Sequence, residues 1–157
     1  ELEIRVPTNA KSFSFNFNFF TFEYPEYICS VFNDFFVTLM WPKHPDLPDP
    51  NIAFDIEMNP ISVNNGLLQV CTKGTHGGKT FDCPLGAGAL QGTGFLGHAA
   101  TGWLVTQAPV EPASILKLRF AIWDSGDAML DSTVLIDNFR WDTETVESIA
   151  TTPDVIF

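Results

Sequence analysis

The chain has 157 residues, 45% of them apolar and including fifteen Phe and four Trp, a composition weighted toward side chains that suit a pleated surface. Nineteen acidic against eight basic residues give a formal net charge of -11, which repels phosphate backbones and anionic lipid and removes nucleic acid as a partner. No apolar run reaches the ~20 residues of a membrane span, and neither a basic patch nor a small-residue cleavage site opens the sequence, which reads as a mature chain or an excised domain.

Leu2, Ile4 and Val6 alternate with Glu3 and Arg5 up to Pro7, predicting a first short strand. In residues 12–22, Phe13, Phe15, Phe17 and Phe19 fall on one side and Ser14, Asn16 and Asn18 on the other. This period of two marks a strand with one face in the core and one in water. The two strands are expected to be neighbours joined by a polar turn at 8–11. Residues 35–41 form another strand, stopped by Pro42, Pro45, Pro48 and Pro50, which lack amide donors. Residues 61–63 and 67–70 flank Asn64-Asn65-Gly66, whose Asn-Gly pair predicts a tight hairpin.

From 72 to 102 glycine is frequent and neither strand nor helix period can be traced, so a long surface excursion is expected. Cys71 and Cys83 flank its first part, and a disulfide between them would contribute about 3 kcal/mol in an oxidising compartment. Three thiols in a reducing compartment is the alternative, and Cys29 has no assigned partner on either reading. Residues 103–107, 114–123 and 132–141 return as strands, the middle one setting Leu116, Leu118 and Phe120 against Ile115, Lys117 and Arg119. Residues 1–141 are read as the domain, and the acidic tail 142–157 as a linker or an exchangeable strand tipped by Val155-Ile156-Phe157. No helical stripe is sustained, so the predicted class is all-β: an antiparallel two-sheet β-sandwich, jelly-roll-like.

Enzymatic motifs lack their contexts. Gly92-Thr93-Gly94-Phe95-Leu96-Gly97 has dinucleotide-loop spacing without the strand and helix that loop requires. Gly78-Lys79-Thr80 has Lys73 where a phosphate loop needs its first glycine. His44, His76 and His98 are not spaced to share a metal on one element, and no nucleophile elbow occurs.

The acids are more informative. Glu23 continues the register of Phe13 to Phe19, so its carboxylate is expected on the core side near a sheet end; Asp137, between Leu135 and Phe139, is read as inward too. A buried carboxylate needs a counter-charge. Arg119 and Arg140 are candidates, and so is calcium, which takes several hard oxygens at once. Asp124, Asp127 and Asp131 surround a glycine turn, and Asn33 and Asp34 precede a strand. Their spacing is not that of an EF-hand, and solvated loop acids with Asx turns stand beside calcium as the reading.

Glu23-Tyr24-Pro25-Glu26-Tyr27-Ile28-Cys29-Ser30, followed by Phe32-Asn33-Asp34-Phe35, resembles the hallmark of bacterial choice-of-anchor L domains. The similarity continues through Asn59-Pro60-Ile61-Ser62-Val63-Asn64, Gly102-Trp103-Leu104 with Ala108-Pro109-Val110, Asp124-Ser125-Gly126-Asp127, Leu130-Asp131-Ser132 and Ile136-Asp137-Asn138-Phe139. It covers residues 1–141, and the cysteine pattern resembles homologues from myxobacteria and related gliding bacteria. The resemblance implies a domain of large secreted or cell-surface proteins with no assigned catalytic activity. A last strand ending in Ile-Asp-Asn is also similar to carbohydrate-binding jelly rolls, in which the Asp ligates a structural calcium.

Carried over, these likenesses imply Glu23, Asp34, Asp131 and Asp137 as calcium ligands, with Asn33, Asp124 and Asp127 behind them. The expected role is a non-enzymatic structural or adhesive module, extracellular or on a bacterial surface and stabilised by calcium. Its expected partners are other surface proteins or other copies of itself, joined by strand exchange into a fibre or layer. A carbohydrate-binding module is the alternative, with Tyr24, Tyr27, Trp103 or Trp123 stacking on glycans, although each has core packing as its plainer role. A hydrolase using Glu23, Glu26 or Asp34 would require those acids to line a cleft.

Overall fold

The computed structural model describes residues 1–65, 67–126 and 129–154. In chain order its strands are β1 (Leu2–Arg5), β2 (Ser12–Thr21), β3 (Asn33–Trp41), β4 (Ile61–Ser62), β5 (Gly74–His76), β6 (Lys79–Phe81), β7 (Ala99–Ala100), β8 (Leu104–Pro109), β9 (Ile115–Ser125), β10 (Ser132–Asp142) and β11 (Ala150–Pro153). Sheet A runs β1-β9-β3-β4, and sheet B runs β10-β2-β8-β11 with β7 also paired to β2. All these pairings are antiparallel.

The alternating phenylalanines of β2 place Phe13, Phe15, Phe17 and Phe19 at no more than 1% exposure. Phe36, Met40, Leu116 and Leu118 of sheet A join Phe13, Phe15, Phe17 and Phe19 in one buried cluster. Ring centroids of Phe17 and Phe36 lie 4.9 Å apart, and those of Phe15 and Phe120 5.4 Å apart. The sheets therefore pack face to face, as expected of two antiparallel layers that each carry one apolar face.

Several expectations about neighbours are corrected. β1 pairs with β9 in sheet A and β2 lies in sheet B, so the first two strands are not partners. β2 fills the core, whereas Leu2 of β1 is exposed and Val6, just past β1, is the residue there that reaches the core; alternation records which side is apolar but not which sheet carries it. Residues 61–63 and 67–70 do not form a hairpin. β4 pairs with β3, and Val70 bridges Ala100. Asn64 Oδ1 accepts the Cys29 N–H and Asn65 Oδ1 accepts that of Leu67, so these amides serve a local turn and a cross-link; Gly66 lies outside the described residues.

The glycine-rich segment is more than a surface excursion. It contains the β5–β6 hairpin, turning at Gly77 and Gly78 with φ of 55° and 80°. A Cβ at Gly77 would come within 2.2 Å of the Ile28 carbonyl oxygen, so only glycine fits there. Leu90 and Ala100 are fully buried and pack with Phe20 and Val70 over the outer side of sheet B. The tail joins that sheet as well, because β11 pairs with β8 and Ile149 packs against the core. The polar side of β2 is consequently not in water: Asn16 and Asn18 are 4% and 8% exposed.

Candidate functional site

The C-terminal ends of β2 and β9 and the N-terminal ends of β3 and β10 meet at one end of the sandwich. Ser132 stands opposite Thr21 in sheet B and Asn33 opposite Ser125 in sheet A. On β3, Asp34 shares the inward side with Phe36, Thr38 and Met40, all buried. Asp124 is the cross-strand partner of Asp34, and residues directly opposite in an antiparallel pair project to the same side. Two carboxylates thus sit side by side on the inner surface of sheet A, where like charges directly opposite destabilise the pair.

Glu23 follows β2 at the same end and is 1% exposed. Its N–H donates to Thr21 Oγ1 and its carbonyl accepts the Tyr27 N–H, fixing the corner that turns toward β3. Among the described residues, both carboxylate oxygens of Asp124, Asn33 Oδ1 and Ser132 Oγ are shut off from solvent without a hydrogen-bond partner. Such atoms normally find a partner. The guanidinium groups expected as counter-charges are elsewhere: Arg119 holds Glu1 at 2.6 Å and keeps that exposed carboxyl below its ordinary range, and Arg140 stands opposite Ser14.

The predicted ligands divide. Glu23, Asp34, Asp124 and Asn33 are brought to this end of the sandwich; Asp131, next to Ser132, is at the same end but exposed, and Asp127 lies outside the described residues. Asp137 is a correction. It is exposed, pairs with Asn16, and lies on the outer side of sheet B. The register shifts between Asp137 and Arg140, with Asn138 at a φ of 56°, so the strand changes side there. Phe139 stacks on Phe13 in the core while Asp137 faces outward, and the side shared by Leu135 and Asp137 is not the one Phe139 occupies. Glu23 and Asp137 therefore do not meet. Among the described residues no three His, Cys, Asp or Glu side chains group tightly enough to hold an ion by themselves. The shielded Asn33 and Ser132 oxygens are the donors that sequence reading missed or ranked low; Ser132, one residue after Asp131, carried no signal of its own.

The aromatic candidates also separate. Tyr24 is a core residue whose hydroxyl donates to the Thr72 carbonyl, and burial pushes that hydroxyl's pKa up. Tyr27 is half-buried against Phe32. Trp123 is 46% exposed and stacks on Phe35. Trp103, half-buried, lines a cleft on the outer side of sheet B. The histidines serve local packing: His98 Nδ1 lies 2.9 Å from the Tyr24 carbonyl oxygen, and His76 meets the Tyr24 ring edge-on. Residues 92–97 follow a 3-10 turn, Gly88–Leu90, and among the described residues no helix comes after them. Of the acids named for hydrolysis, Glu23 and Asp34 are buried and Glu26 is exposed.

The disulfide expected between Cys71 and Cys83 is present, and Cys29 is free and exposed. Among the described residues no helix is long and apolar enough to cross a membrane. A family model described as the choice-of-anchor L domain matches residues 2–140. No curated protein and no solved structure matches the chain.

Proposed function

The chain belongs to the choice-of-anchor L family, and from that premise we propose a non-catalytic module of a secreted, surface-associated protein, stabilised by a calcium ion at the end of the sandwich where Asp34 faces Asp124. One observation carries the calcium reading. Both oxygens of Asp124 are shielded from water, stand beside a second buried carboxylate, and have no hydrogen-bond donor among the described residues. A divalent cation offsets both the desolvation and the repulsion, and a hard ion takes carboxylate, amide and hydroxyl oxygens together. Asp34, Asp124, Asn33 and Ser132 would supply such a set, with Glu23 at the adjoining corner. The ion supplies structure here and no chemical step.

Calcium at about 100 times its dissociation constant stabilises a folded protein by about 2.7 kcal/mol. For a chain of this size that raises the melting temperature by roughly 5–10 °C relative to chelator. Asp124→Asn removes one of the opposed charges, so the variant is expected to melt higher than the parent in chelator and to show no rise with calcium. Calorimetric transitions that coincide with and without chelator would sink the calcium reading.

Assembly with further copies has its own supporting observation. Beyond the Leu2–Leu118 pairing, β9 has no second strand beside it among the described residues, and β10 is the edge of sheet B. Ile122, Trp123, Leu135 and Ile136 on these strands are each more than 40% exposed. Unpaired edges with apolar side chains accept another strand. The tip Val155-Ile156-Phe157, expected to be a donor strand, lies outside the described residues. Sedimentation is expected to show oligomers that Ile122→Lys converts to monomers; a parent chain that stays monomeric at high concentration would refute assembly.

A further inference from the structure

Sheet B carries a second feature, on its outer side and separate from the calcium end. A cavity of 610 Å³ lies over β2 between the glycine-rich segment and β11, lined by Asn18, Phe20, Gln69, Leu85 and Trp103 among others. A smaller one of 250 Å³ continues from it, lined by Asn16, Trp103, Asp137, Asn138 and Asp154. Trp103 and Asp154 belong to both walls, so the two form one cleft across the sheet.

The cleft is built rather than incidental. Asp137, opposite Asn16 in the register, faces this side, and Asn138 at the bulge lines it as well. Asn138 Nδ2 donates to Asn16 Oδ1, and Asn16 Nδ2 donates to Asp154 Oδ2, which anchors the tail along the rim. These bonds hold the second amide row in place, while polar atoms beside it stay uncommitted. Asn18 is 8% exposed, its Oδ1 is reached at 3.5 Å by Thr101 Oγ1, and its Nδ2 makes no hydrogen bond among the described residues. Neither the Gln69 amide nor the Trp103 indole N–H makes one there either.

We infer that this cleft binds a neutral carbohydrate, with Trp103 as the apolar platform and Asn18, Gln69 and Asp137 as the hydroxyl partners. The chemistry selects the class. A cavity of this size suits a ligand of a few rings, and an apolar wall with a few placed polar groups suits a molecule with one C–H face and a rim of hydroxyls. Amide donors and carboxylate acceptors together match a hydroxyl, which gives one hydrogen bond and takes others. No Lys or Arg lines either cavity, and Asp137 and Asp154 repel phosphate, sulfate and uronate groups.

The probe is a panel of neutral gluco-, galacto-, manno- and xylo-oligosaccharides, titrated against intrinsic tryptophan fluorescence and calorimetry. At least one is expected to bind saturably, with a dissociation constant at or below about 1 mM. Trp103→Ala and Asn18→Ala are expected to weaken it at least tenfold, and Glu3→Ala on sheet A to leave it unchanged. Asp137→Ala, on an exposed edge, keeps the test open if a cavity variant fails to fold, and is expected to weaken binding several-fold. Chelator should not alter binding by the folded protein, so the result is independent of the calcium reading. Silence across the panel, binding that survives Trp103→Ala and Asp137→Ala, or a cleft that takes tetramethylammonium in place of sugars would each overturn the inference.

Discussion

Phe17→Ala is expected to lower the unfolding free energy by about 3–5 kcal/mol. Phe17 is fully buried in β2, the strand at the centre of sheet B, with its ring 4.9 Å from Phe36 of the opposite sheet and 6.1 Å from Phe15. Truncation removes a direct ring contact between the layers and leaves a void that the paired backbones on either side of β2 prevent from closing. Against a total of about 5–15 kcal/mol for a typical domain, that is a large fraction. Phe35→Ala serves as the comparison, because Phe35 lies on the outer side of sheet A against the exposed Trp123 and its removal opens no void. Denaturant titration of both variants checks the ranking. A Phe35 variant as damaged as the Phe17 variant would mean that the layers are not held as described.

Replacing both Cys71 and Cys83 by Ser is expected to destabilise the protein by about 3 kcal/mol, the loop-closure entropy released for a loop of this length. The bridge joins residues 12 apart and sits, with Tyr24, Phe81 and Ala99, in a buried cluster apart from the main core. Its loss therefore frees the β5–β6 hairpin and the glycine-rich segment that covers Phe20, and the effect should appear as a lower melting temperature in reductant as well as in the double variant. Thiol counting gives an independent reading: one reactive thiol, Cys29, in the native protein and three after unfolding in reductant. Three reactive thiols under native, non-reducing conditions would exclude the bridge.

The placement of the acids shows how far residue patterns reach into the site. Asp34 is inward because it occupies an apolar register, and register is a local property, whereas Glu23 lies past the end of β2 and is buried in the corner that follows it. Asp137 shares its side with Leu135, but Leu135 stands opposite Asn18 on the outer side, and the extra residue at Asn138 is what brings Phe139 inward; nothing in Ile136-Asp137-Asn138-Phe139 announces that bulge beforehand. The opposition of Asp34 and Asp124 depends on two strands separated by most of the chain, so spacing along the sequence carries no trace of it. The cleft on sheet B was equally hidden, because Asn16 and Asn18 look like solvent-facing positions until the tail and the glycine-rich segment cover them.

By itself the sequence determined the long strands β2, β3, β8, β9 and β10, the apolar side of β2, and the class of two antiparallel layers, and it offered the Cys71 to Cys83 bridge as one of two readings. Those follow from a two-residue period, proline stops and loop closure, which act within a few residues. Only the tertiary structure decided which strands are neighbours, which sheet β1 and β2 enter, how β10 changes side, and what covers the polar side of β2. Those outcomes come from packing two apolar surfaces against each other, and many strand orders satisfy the same alternation until distant segments compete for the same core.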